Sequence, residues 1–378
     1  MKRTLISKTG AQLALLVPCF LTLVGCTAAV NGNSDDIGPM GSSGSNSVGS
    51  AGAGNIAGAG PVSGGGTGSG SSGSGTGSTG STLSCPTTPT PNRAPMRRLT
   101  QFEFNNTLKD LKLDSTDLAL NLPAEDLTNG FGNDTDSQSA STELIKQYQA
   151  IGEAVGANVT KASALATLLP CSTNVTSATE ASCARTFIQD IGPKAFRRPL
   201  ETAEADSYAS LFTSIRATSG STFASSIAAI VEAILQDPAL LYRPEFGVPV
   251  AGRTDLLRPT GYEMATRLSY ALWGTTPDDS LRAAAAAGQL DTAEGVNAQA
   301  SLMLGDPRTK NQVRFFFDNL LPIASLSQLE RTDSAYNSTS SPTLSKLGSL
   351  MRQETETFLE HTVFDGNGGT WPSVFTAD

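Results

Sequence analysis

Three pairs of neighbouring carboxylates stand out as groups that could do chemistry: Glu125 with Asp126, Asp278 with Asp279, and Glu354 with Glu356. Two such groups flanking a glycosidic bond can serve as acid and base on a sugar. Each pair also has a plainer role. The first precedes a turn, the second stands at a helix start, and the third falls on an exposed helical face. His361 is the one histidine in the chain, so a Ser-His-Asp triad or a histidine-bearing zinc site would have to use it. Its place near the end of the last helix suits a surface residue whose basic ring favours the helix dipole. Arg197, Arg198 and Arg267 read in two ways. They clasp an anionic ligand, or they pair with acids such as Asp206, Glu204 or Glu263 and fix helix packing. Asn133-Asp134-Thr135-Asp136-Ser137 alternates oxygen ligands as a calcium loop does. It lacks the bent glycine and the closing Glu, so a solvated turn is the better reading. Tyr270 and Trp273 read as core residues rather than a sugar platform.

The elements that must position these groups are helical. Thr100 and Glu103 form a T-x-x-E capping box, followed by Phe104, Leu108, Leu111 and Leu113 at helical spacing. A turn-rich segment carries Pro123 and Asn129-Gly130-Phe131-Gly132-Asn133. A long helix is expected from Thr142 to about Leu169, closed by Pro170, with Leu144, Ile145, Tyr148, Ile151 and Val155 on one face. Phe187, Ile188 and Ile191 predict a short helix ending near Gly192-Pro193. Further helices are expected over Leu200–Ile215 and Thr222–Leu235, the latter stopped by Asp237-Pro238. A second capping box, Thr260 and Glu263, opens the helix that carries Leu268, Tyr270 and Trp273. Pro277-Asp278-Asp279 and Asp306-Pro307 start two more, and a last helix is expected from about Thr343 to Phe364. Strand signals are scarce. Phe246–Val250 could be one short extended piece, but Pro249 argues against a central strand. The fold class expected is all-α, built from packed helices.

Composition bounds the partners. The chain holds 26 basic and 35 acidic residues, a formal net charge of −9. No basic patch recurs, so nucleic acid is excluded as a natural partner, and an anionic membrane surface would repel the folded part. Cys171 and Cys183 lie between two helices, where a disulfide is the natural reading, with free thiols or a metal pair as the alternatives. Closing so short a loop is worth about 3 kcal/mol in the chain-entropy account. Cys85 is left without an evident partner.

The amino-terminal region carries an address. Met1, Lys2, Arg3 and Lys8 precede an apolar run from Ala11 to Leu23 that Pro18 interrupts, the layout of a secretory signal rather than a membrane span. Leu23-Val24-Gly25-Cys26 resembles a bacterial lipobox. That resemblance implies cleavage before Cys26, a diacylglyceryl thioether on its sulfur and acylation of the new amino terminus. The bilayer is then a partner through Cys26, and Thr27 in the next position points to the outer membrane. Residues 31–84 are nearly all Gly, Ser, Thr, Ala and Asn. They read as a flexible tether with an average span of roughly 40 Å.

Several phrases in the remaining chain carry a family resemblance. They are Arg97-Arg98-Leu99-Thr100 with Glu103-Phe104-Asn105-Asn106-Thr107; Gly130-Phe131-Gly132-Asn133; Ala195-Phe196-Arg197-Arg198-Pro199-Leu200; Asp237-Pro238 with Leu241-Tyr242-Arg243; and Arg267-Leu268-Ser269-Tyr270-Ala271-Leu272-Trp273 with Pro277-Asp278-Asp279. In this order they resemble the exported proteins of unknown function built from planctomycete-specific domains, abundant also in myxobacteria. The resemblance implies that cytochrome-like modules with haem-attachment sequences follow. This sequence has no Cys-x-x-Cys-His, so no cofactor is expected in this portion, and the resemblance leaves room for c-type haem only in a C-terminal half beyond it.

The expected organisation is a lipoprotein signal over 1–25, a lipidated cysteine and tether over 26–96, and helical modules over 97–170, 171–245 and 246–378. The expected role is a scaffold or binding portion of a surface system for polymer breakdown or electron transfer, with polysaccharide or a cytochrome-like protein as partner. The alternative is a polysaccharide-acting enzyme using a carboxylate pair.

Overall fold

Residues 94–328, 347–365 and 370–376 are described by the computed structural model of the protein, and all belong to a single contact unit. The leader, Cys26, nearly all of the tether and Cys85 lie outside the described residues. Those described are all-α apart from two small antiparallel sheets of two strands each.

Strand β1 (Arg97–Arg98) leads into α1 (Gln101–Asp110), whose start is fixed by the expected capping box: Thr100 Oγ1 accepts from the Glu103 amide at 3.2 Å and Glu103 Oε2 from the Thr100 amide at 2.9 Å. With that register set, Phe104 and Leu108 fall on the buried side. The long helix expected to Leu169 breaks in two, α2 (Thr142–Val159) and α3 (Ala162–Leu168). The Thr160 hydroxyl takes the Gly156 carbonyl at 2.7 Å, ending the first helix, and Lys161 is extended. Leu144, Tyr148, Ile151, Val155 and Val159 are buried as a stripe, whereas Ile145, expected among them, is exposed.

Next come α4 (Glu180–Ala195), α5 (Thr202–Arg216), α6 (Phe223–Gln236) and the single turn α7 (Pro238–Leu241). Helix α4 runs through Gly192-Pro193 rather than stopping there: Pro193 forfeits one backbone bond, and the helix ends two residues later at Ala195. The stripe of α2 packs on Ile227, Ile230, Val231 and Ile234 of α6 within one core. Gly156 permits the close approach, since a Cβ there would lie 3.2 Å from the Ala228 carbonyl. The disulfide Cys171–Cys183 pins the turn after α3 to the start of α4.

Strand β2 (Tyr242–Arg243) then returns to pair antiparallel with β1, Arg97 facing Arg243 and Arg98 facing Tyr242. Pro249 sits in β3 (Val248–Val250), which pairs only with β4 (Arg253–Arg258) in a bulged hairpin. That is the edge setting in which proline is tolerated. Helices α8 (Gly261–Leu272), α9 (Asp279–Ala286), α10 (Ala293–Leu304) and α11 (Pro307–Leu320) follow, with the expected caps at Thr260, Asp278 and Asp306. Helix α10 had no expectation attached to it. The last helices are α12 (Leu347–Glu360), ending in a π-turn over His361–Asp365, and α13 (Trp371–Thr376). Two smaller cores serve this part, one around Leu268, Trp273, Leu281 and Met303, the other around Phe317, Ile323 and Leu359. Among the described residues no helix is long and apolar enough to cross a membrane.

Candidate functional site

The arginines singled out by the sequence go to separate places. Arg197 is buried in left-handed backbone, φ +61°. Its guanidinium donates to the carbonyls of Ala239 (2.6 Å), Tyr242 (2.6 Å) and Leu240 (3.1 Å), closing the C-terminal end of α7. A cation there meets the negative end of aligned carbonyls. Burial, with the nearby Arg243 charge adding to it, pulls this guanidinium below its ordinary value. The same group donates to the Tyr270 hydroxyl at 3.4 Å. Thr107 Oγ1 spends its hydrogen on the Glu103 carbonyl (2.7 Å), so the Tyr270 hydroxyl donates to Thr107 at 2.8 Å. Arg197 and Arg243 both approach the Tyr270 ring, with guanidinium carbons 5.7 and 5.0 Å from its centroid.

Arg198 forks onto Glu204 through two bonds of 2.8 and 2.6 Å. Arg267 pairs with Glu245, its Nε at 2.8 Å, and not with Glu263. Glu263 instead caps its own helix and accepts from the Phe246 and Gly247 amides. Asp206 pairs with Arg185.

The carboxylate pairs divide similarly. Asp278 Oδ1 caps α9 through the Leu281 amide, and its Oδ2 accepts from Arg308. Arg308 also binds Asp306 and stacks 3.5 Å from the centroid of the Trp273 ring. Asp279 pairs with Arg282. Glu356 accepts from Arg352 at 2.6 Å, and Glu354 is exposed. His361 lies on the surface, 3.4 Å from Asp365. Asp134 to Ser137 forms a turn closed by its own side chains, and among the described residues no three His, Cys, Asp or Glu converge as metal ligands.

Glu125 is different. It lines a cleft of about 350 Å³ between α1 and α11, at the small end of ligand-sized cavities. The helical period places Gln101, Asn105 and Lys109 in one row and Phe102 and Asn106 in another, flanking the buried side of α1. Phe315 and Asn319, one turn apart on α11, form the opposite wall. Phe102 and Phe315 stack with centroids 3.9 Å apart and 9° between planes. Glu125 Oε1 accepts from the Gln101 amide at 2.8 Å. Burial pushes this carboxyl above its ordinary value, with the Gln101 hydrogen bond opposing the shift. Asn105 Oδ1 accepts from the Ala119 amide at 2.8 Å, and Lys109 pairs with Asp117.

Two glycines hold the walls together. Gly274 (φ +66°) gives its carbonyl to Asn106 at 3.3 Å, and a Cβ there would lie 2.5 Å from the Phe102 ring. Gly130 (φ +88°) follows Asn129 (φ +51°) in a tight turn bridged between Thr128 and Phe131. A Cβ at Gly130 would meet the Asn319 carbonyl at 2.4 Å. The sequence pointed to Glu125 and to this turn, but the cleft itself went unread. Its signal was the polar i, i+4, i+8 row of Gln101, Asn105 and Lys109 beside an apolar stripe.

Three family models match the chain: PSD3, a protein of unknown function (DUF1587), over residues 97–161; PSD5, a protein of unknown function (DUF1595), over 183–245; and PSD4, a protein of unknown function (DUF1592), over 260–378. The chain is built from planctomycete-specific domains. No curated protein and no solved structure matches it. The cleft thus lies between the PSD3 segment, which supplies α1 and the Gly130 turn, and the PSD4 segment, which supplies α11 and Gly274.

Proposed function

We propose that this is a lipid-anchored cell-envelope protein whose helical part binds or scaffolds within a surface system for polymer breakdown or electron transfer. The observation that carries the reading is the Cys171–Cys183 bridge. Disulfides persist in oxidising compartments, in agreement with a signal-like leader over 1–25 cleaved before Cys26. The scaffold role is supported by the charged side chains of the family phrases. Arg197, Arg198, Arg267 and Asp278 each tie one element to another.

The test is metabolic labelling with a fatty acid. The wild-type chain should take the label and sediment with membranes, and Cys26→Ala should do neither. An unlabelled wild-type protein in the cytosolic fraction overturns the reading.

A second reading, an enzyme acting on polysaccharide, is favoured by one observation: Glu125, partly buried and shifted upward, lines the cleft. A raised carboxyl is what a general acid requires. Release of reducing sugar by the purified chain, lost in Glu125→Gln, would establish it. No release from wild type removes it.

A further inference from the structure

We infer that the cleft between α1 and α11 is a binding site for one neutral sugar unit, a pyranose or similar polyol. The inference rests on the reading above that the helical part binds, and it names the ligand class.

The lining groups select the chemistry. Lys109 is paired with Asp117, so the cleft offers an anion no uncommitted cation. A phosphate or carboxylate ligand would face Glu125 without compensation. The remaining polar groups are the Glu125 carboxylate and four amides, of which Gln101 already donates its Nε2 hydrogens to the Leu122 and Pro123 carbonyls. Asn105 commits its Oδ1 to Ala119 and keeps its Nδ2 hydrogens as donors. Asn106 and Asn319 commit Nδ2 to the Gly274 and Phe315 carbonyls and keep Oδ1 as acceptors. Glu125 commits one carboxylate oxygen to Gln101 and keeps the other. Free donors and acceptors together around a small volume match a ring of hydroxyls, each of which both donates and accepts. Phe102 and Phe315 cover each other's facing sides, and what they leave open lines the cleft as an apolar patch that the C–H groups of a pyranose can touch. A volume of about 350 Å³ suits a single unit rather than a chain segment. Sites of this kind favour boundaries between modules, and this one has a wall from each of two.

The test is saturation-transfer NMR and calorimetric titration of the full chain in detergent. The probes are methyl glucoside, methyl galactoside and N-acetylglucosamine, with inorganic phosphate as the anionic control. At least one neutral pyranose should bind saturably, and phosphate should not compete. Leu120 is an exposed rim residue whose side chain holds nothing in place. Leu120→Trp should fill the mouth and weaken binding at least tenfold with an unchanged melting temperature. Asn319→Ala, which gives up only a bond within its own helix, should weaken binding as well. Absence of saturable binding by all three sugars, equal binding by phosphate, or affinity unchanged in both variants overturns the inference. Fatty-acid labelling is read on the same preparation. A labelled protein that binds no pyranose therefore sinks the sugar site and leaves the anchored scaffold standing.

Discussion

Arg197 and Arg198 are neighbours in sequence and opposites in role. Arg198 forks onto a half-buried glutamate, a pairing that its type and the nearby Glu204 made readable. Arg197 binds no acid. It satisfies carbonyls of α7 and β2 from a left-handed backbone position, which no local pattern announces. Arg197→Ala should orphan several buried acceptors at about 1–3 kcal/mol each. We expect a marked drop in the urea midpoint, only partly recovered by Arg197→Lys, whose ammonium cannot reach three carbonyls at once. Glu125 gives a pH prediction. Burial raises its folded-state value, so the folded protein keeps this proton where the unfolded chain has released it. Stability therefore falls as pH rises from the ordinary carboxylate value through the folded one. Asp110 and Asp318 are raised by burial too and add to the same slope. Glu125→Gln should flatten part of that fall, measured as urea midpoints from about pH 4 to about pH 7.

Among elements, the helix starts were the legible features. Thr100, Thr222, Thr260, Asp278 and Asp306 each begin a helix with their own side chain, because the capping hydrogen bond depends on residues three or fewer positions away. The features that went unread are non-local or weakly patterned. Strands β1 and β2 are two residues each and pair across most of the first core. Helix α10 has a blurred apolar face, with Leu302 exposed beside the buried Met303. The cleft needs Phe102 and Phe315, distant in sequence, to stack. Two predictions belong here. Reduction of Cys171–Cys183, or Cys183→Ser, should cost about 3 kcal/mol, read by denaturation with and without reductant. Intact peptide mapping should return one linked pair. Gly274→Ala forces a side chain into left-handed backbone and against Phe102, and should cost more than ~1 kcal/mol. It should also lift α1 from α11, exposing the Phe102 neighbourhood to hydrogen exchange.

Across the whole molecule the cores do not follow the family segments. The PSD3 and PSD5 segments share one core, in which Tyr148 and Val155 lie with Ile227 and Ile234, and Tyr270 from the PSD4 segment joins it. The PSD4 segment also builds two smaller cores of its own. Residues 97–161 made alone should therefore stay unfolded, with the α2 stripe in water, whereas residues 94–275 should give a dispersed amide spectrum. A dispersed spectrum from 97–161 alone would contradict the shared core.

The β1–β2 pair closes that core from its two ends, and a mechanical consequence follows. Any pull arriving from upstream of residue 97 must first cross Arg97 and Arg98, held by β2, by the Gln138 amide oxygen on the Arg98 N–H (2.7 Å) and by the Ser139 carbonyl on its guanidinium (2.7 Å). Leu99 behind them is buried, and its N–H is bonded to the Leu241 carbonyl at 2.8 Å. A pull applied there is thereby shared between α1 and the far end of the same core, and loads the two together instead of peeling the first helix away.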